Sequence, residues 1–205
     1  MARPGMISVL VGVLSVVVFF ANGVSPNPAA QDPPPNFRVA FFGDSWTESE
    51  SPELFRMLKE EGADMIVHAG DFTYSPDKTL IFRVVENTMG PNFPFVAVLG
   101  NHDLDEPHRG NQHSADPVSG YQPLLLEQTA KANVKCDEDP RGGAGAMQAC
   151  YHQGLLVVNL SYRLKLDFWR GISATDYAKF IDDTFDANPN VRWRYGAVTS
   201  PHRFA

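Results

Sequence analysis

Three apolar runs in the first half of the chain end alike: each breaks at a glycine and then presents a polar side chain able to bind a ligand. They are residues 38–44 (RVAFFGD), 65–74 (MIVHAGDFTY) and 95–103 (FVAVLGNHD). Continuous apolar runs of this length, without polar alternation, fit strands covered on both faces. Between them, residues 52–61 and 78–89 carry helical spacing; in the first, Leu54, Phe55 and Leu58 form an apolar stripe and Gly62 supplies the stop. The order is βαβαβ, and steps of roughly 30 residues are the length of one βαβ unit, so the three strands are expected as parallel neighbours in one sheet. Further on, the pattern predicts a helix over 121–132, a strand over 155–162, a helix over 174–187 and a strand over 191–199. Residues 104–120, with His108 and His113, read as a long irregular stretch, and residues 137–149 as a loop rich in Gly, Asp and Pro.

The N-terminal residues read as an address. Arg3 precedes an uncharged apolar stretch, residues 7–21, followed by Ala21 and Gly23 at a spacing suited to signal peptidase. The stretch falls short of the roughly 20 residues of a spanning helix, so residues 1–23 are expected to be a cleaved secretory signal, with no stable membrane anchor. Residues 24–36 (VSPNPAAQDPPPN) form a polar, Pro-rich leader. Residues 37–205 are then read as one domain, with 43% hydrophobic content over the whole chain. A net charge of −7 and no Lys/Arg cluster exclude nucleic acid as a partner. On an extracellular route Cys136 and Cys150 can pair, closing a loop worth about 3 kcal/mol on the chain-entropy model; the alternative is two buried thiols. The sequon Asn159-Leu160-Ser161 falls inside a strand-like run, where a buried Asn cannot carry a glycan.

The chemistry gathers at the strand ends. Asp44, Asp71 and Asn101 are hard oxygen donors, Tyr74 offers a phenolate, and His202 offers an imidazole after the last predicted strand. Such a set suits Zn, Mn or Fe, and a phenolate selects Fe(III). One carboxylate can bridge two ions, and two-metal sites clamp a phosphoryl group. His102 follows the Asn directly and can face a substrate as an acid, with Asp103 or the metals fixing its tautomer. Taken singly, Asp44 and Asn101 could as well cap turns. His68, inside an apolar run, reads as a satisfied core histidine; His108, His113 and His152 read as loop or surface residues, and Trp46 as packing or pocket wall.

Gly43-Asp44, Gly70-Asp71-Phe72-Thr73-Tyr74 and Gly100-Asn101-His102-Asp103, in this order and spacing, resemble the calcineurin-like metallophosphoesterase superfamily. The Tyr three residues after the second Asp is similar to the purple acid phosphatases. The resemblance implies a four-layer α/β/β/α sandwich and a phosphate monoesterase acting through a metal-activated water. It implies two metal ions, Fe(III) with Fe(II), Zn or Mn: Asp44 and Tyr74 on the first, Asp71 bridging, Asn101 and His202 on the second, with His102 and Asp103 catalytic. The substrate would be a small phosphorylated molecule met outside the cell or in the secretory lumen. Trp46 stands where the family has His or Gly, and no Gly-His-x-His motif occurs before Ala205. The resemblance therefore implies a C-terminally incomplete domain lacking the last strands of its second sheet, with a non-catalytic binding protein as one alternative. Phe42-Gly43-Asp44-Ser45 also looks like the first block of GDS-type serine esterases, with Ser45 as nucleophile and Asn101 as oxyanion donor. That reading needs a late Asp-x-x-His, and the only such spacing, Asp105 to His108, comes too early.

Overall fold

In the computed structural model, residues 32–45, 51–73, 75, 77–104, 120–162, 164 and 170–198 are described. The expected signal segment, His108, His113, Trp46, Tyr74 and His202 lie outside the described residues. The three apolar runs become β1 (Val39–Phe42), β2 (Met65–His68) and β3 (Phe95–Ala97), a parallel sheet in the order β1-β2-β3. The crossovers are α1 (Ser51–Glu60) and α2 (Leu80–Thr88), within two residues of the limits set by periodicity.

Alternation along β2 and β3 sends side chains to two different cores. Ile66, Phe95 and Ala97 share a cluster with Phe55 of α1 and with Ile81 and Val85 of α2. Met65, Val67 and Val96 turn the other way, against Cys150, Leu155, Val157 and Ala197 of a second sheet. Both faces are covered, which is why these runs carry almost no polar residues. Connecting the two sheets is α3 (Gln122–Lys131), which touches both β3 and β4.

The second sheet has the order β4-β5-β6-β7, with β4 (Lys135–Gly143), β5 (Met147–His152), β6 (Leu155–Leu160) and β7 (Trp193–Val198). Its outer face packs on α4 (Ala174–Ala187), whose Tyr177 joins Leu156 and Val158 in one cluster. The Ser173 hydroxyl accepts from the Asp176 N–H while the Asp176 carboxylate accepts from the Ser173 N–H, a capping box that fixes where α4 begins. Among the described residues there are two sheets and four helices, and the class is α/β, as the resemblance implies.

One expectation is corrected. Residues 137–149 are not a loop: they belong to the β4–β5 hairpin, in which Cys136 and Cys150 stand directly opposite and form a disulfide. β4 is an edge strand, mostly exposed, so its acidic residues face water and Pro140 withholds no needed ladder bond. Two other readings hold: His68 is fully buried, and Asn159 lies wholly buried on β6, where a glycan has no room. His152 is half-buried against Phe37 rather than free on the surface. Among the described residues no helix is long and apolar enough to cross a membrane.

Candidate functional site

Parallel pairing brings the carboxyl ends of β1, β2 and β3 to one edge, the place where open α/β sheets bind ligands. The chain does not splay there. Asp44 donates its N–H to Gly70 O at 2.9 Å and Ser45 to Asp71 O at 3.2 Å, so the first two loops stay zipped beyond the strands. Within this zipper Asp44 (φ 51°) and Asp71 (φ 58°) both adopt the left-handed conformation. Asp tolerates it better than most residues, but each instance costs about 1–3 kcal/mol and persists only where the surroundings enforce it.

The Asp44 carboxylate lies close enough to Asp71 for its charge to act on the Asp71 carboxyl. Burial first, and the neighbouring Asp44 carboxylate with it, push the Asp71 carboxyl above the usual range; the His102 N–H and imidazole oppose that shift. The His102 N–H donates to Asp71 Oδ1 at 2.8 Å, tying the third loop to the second. Gly100 must be glycine, because a Cβ there would overlap the Asp71 carboxylate and amide. Asn101 and His102 are exposed at the same edge.

Asp103, expected to be catalytic, is tied into the backbone of the site. It is fully buried, and its carboxylate accepts three backbone N–H groups: Asp71 at 2.8 Å, Phe72 at 2.8 Å and Gly100 at 2.7 Å. Both oxygens accept from backbone, so Asp103 fastens the Asp71 loop to the Asn101 loop. Burial pushes its carboxyl up to about 7, against the three donors that favour the ionised form.

Ser45 and His68 are also occupied. Gly70 N–H donates to His68 Nδ1 at 3.1 Å, so the neutral ring carries its proton on Nε2 and donates it to Ser45 Oγ at 2.8 Å. Ser45 in turn donates to Phe72 O at 2.8 Å. A serine that receives a proton from its histidine and is itself buried is not an activated nucleophile, which removes the structural basis for the serine-esterase alternative. Sequence reasoning named both residues without seeing their partnership; the signal was a lone polar residue inside the run MIVHAG.

Among the described residues no three His, Cys, Asp or Glu side chains converge on one point. What the structure brings together is the Asp44–Asp71 pair with Asn101 and His102 beside it. Two carboxyls held on neighbouring loops by enforced backbone are a donor set suited to an oxygen-preferring cation. β7 runs parallel to β6, and its Val198 pairs with Leu160; the next residue, Ser161, bridges Leu99 O at 2.8 Å and Gly145 O at 2.7 Å. β7 is thus directed toward the edge that carries Asn101.

A cavity of about 520 Å³ lies elsewhere, between β1 and β7, lined by Phe37, Phe41, Trp193 and Tyr195. Its charged lining is Asp32 and Arg192, 4.0 Å apart, with no carboxylate pair. The candidate donors Asp44, Asp71 and Asn101 sit on the loop edge instead. No curated protein matches the chain at significant similarity. The family model for calcineurin-like phosphoesterases matches residues 37–188.

Proposed function

This chain belongs to the calcineurin-like phosphoesterase family, and from that premise we propose that it is a secreted hydrolase of phosphate monoesters working with two metal ions. Family membership makes it a metal-dependent phosphoric ester hydrolase. The monoester preference, the second ion, iron at Tyr74 and the secretory route are our reading. The observation that carries it is the Asp44–Asp71 pair: two left-handed carboxylate residues on adjacent strand ends, their loops joined by the backbone bonds Asp44 N–H to Gly70 O and Ser45 N–H to Asp71 O.

In this reading Asp44 and Tyr74 would hold one ion, Asn101 and His202 the other, and Asp71 would serve both. Bound there, the ions supply the activated water and the charge neutralisation that phosphoryl transfer needs. The chain does the rest. Asp103 and the backbone bonds Asp44 N–H to Gly70 O and Ser45 N–H to Asp71 O fix the two carboxylate loops before substrate arrives, so little reorganisation remains at the moment of reaction. His102, exposed beside Asn101, delivers a proton from its imidazole to the leaving-group oxygen. With a net charge of −7 the chain repels anionic esters at long range, so attraction must be local to the cations.

The test is hydrolysis of p-nitrophenyl phosphate by the purified chain. Turnover should vanish with a chelator, return with Fe, Zn or Mn, and ignore a serine-directed fluorophosphonate. With iron bound, a visible charge-transfer band should appear and be lost in Tyr74→Phe. Hydrolysis that survives chelation would refute the metal reading, and an active but colourless, iron-free enzyme would refute the Tyr74 assignment.

A further inference from the structure

We propose that His68 and Ser45 form a positioning strut that holds Asp44 and Asp71 in their ligand-binding conformation, an inference that rests on the metal reading above. Neither residue reaches the loop edge: both are buried. Their hydrogen bonds run Gly70 N–H to His68 Nδ1, His68 Nε2–H to Ser45 Oγ, and Ser45 O–H to Phe72 O. Every group in this chain outside the ring is next in sequence to one of the two left-handed carboxylate residues. Ser45 follows Asp44; Gly70 and Phe72 flank Asp71. One imidazole therefore spans the first and second loops and closes a loop of bonds with the zipper contacts Asp44 N–H to Gly70 O and Ser45 N–H to Asp71 O.

The ring itself is immobilised. Phe42, Phe72 and Phe95 surround it at centroid distances of 4.8, 5.2 and 5.9 Å. A histidine that merely fills the core would need partners anywhere; this one sends both nitrogens to the segment that must hold an unfavourable backbone. Ser at position 45 is the one side chain there that accepts from Nε2 and donates to Phe72 O with a single hydroxyl.

Three variants separate positioning from stability. Ser45→Ala cuts the Nε2 branch, His68→Asn keeps an acceptor near Nδ1 while losing the Ser45 link, and Val85→Ala, buried against the helical layer, destabilises without touching the loops. In metal-free protein, Ser45→Ala should lose amide hydrogen-exchange protection at Asp44 and Ser45 while Ile66, bonded to Pro94 O, keeps its protection. With Mn2+ as probe, Ser45→Ala and His68→Asn should each weaken binding about 10–100-fold. The double variant should lose no more than either alone, because one strut is cut in all three. Wild-type protection at Asp44 and Ser45 in Ser45→Ala, or an equal loss of Mn2+ affinity in Val85→Ala at matched stability, would overturn the strut. A wild-type chain that shows the exchange effect but binds no Mn2+ would support the strut and overturn the metal reading.

Discussion

Asp71 concentrates the chemistry of the edge in one side chain: it meets Asp44, accepts the His102 N–H, and its own N–H is held by Asp103. A bridging role predicts that Asp71→Ala loses both ions, whereas His102→Ala keeps its metal content and loses about 10²–10⁴-fold in turnover, the range for a positioned acid. Elemental analysis of the two variants checks this; metals retained in Asp71→Ala would show that the bridge lies elsewhere. Asp103 acts at one remove. Its three backbone donors would be left buried and unsatisfied by truncation, so its effect passes through the loops it joins.

Among the elements, the β4–β5 hairpin is where local composition misleads and pairing decides. β4 carries Asp, Glu, Pro and Gly, yet it pairs along β5 and is closed by Cys136–Cys150 at one register position. Because strand pairing already brings these residues together, the covalent link acts chiefly by restricting the unfolded chain. Replacing both cysteines by Ala is expected to lower the unfolding free energy by about 3 kcal/mol in urea titrations, with the fold retained. A loss well below 1 kcal/mol would mean that the unfolded chain already keeps the hairpin closed. The helices posed no such difficulty. α4 announces itself by Ser173 and Asp176, a capping box written into four consecutive residues.

For the whole molecule, His68 gives the fold an acid limit. Burial among aromatic rings holds its pKa down at about 3, against 6.5 for an unconstrained histidine. The unfolded chain therefore binds a proton that the native chain refuses between those two values, and stability present above 6.5 is lost as the pH falls toward 3. The slope is about 1.4 kcal/mol per pH unit, close to 2 kcal/mol by about pH 5. Asp103, its carboxyl raised to about 7, titrates in the opposite sense over the same range, so the His68 limb is read from urea midpoints as a difference. From neutral pH downward the wild type should lose about 1.4 kcal/mol per pH unit relative to His68→Gln. An unchanged slope in the variant would assign the acid limit to other groups.

Much of this protein was legible in its sequence because the decisive signals are local. Apolar runs ending in Gly and Asp, Gly and Asp, Gly and Asn fixed the parallel sheet, its crossovers and the edge that carries the chemistry; steps of one βαβ unit admit few other arrangements. Helix limits followed from periodicity and capping residues. Tertiary structure alone decided three matters. The hairpin of residues 135–152 depends on an edge position that lets polar residues face water, and no short window of sequence reports which strand will be an edge. The duty of Asp103 depends on which backbone N–H groups meet its buried carboxylate, 31 and 32 residues away in the case of Phe72 and Asp71. The pairing of Ser45 with His68 spans 23 residues and arises only when β1 and β2 lie side by side. Residue type sets what a side chain can do; its partners, brought together by folding, set what it does.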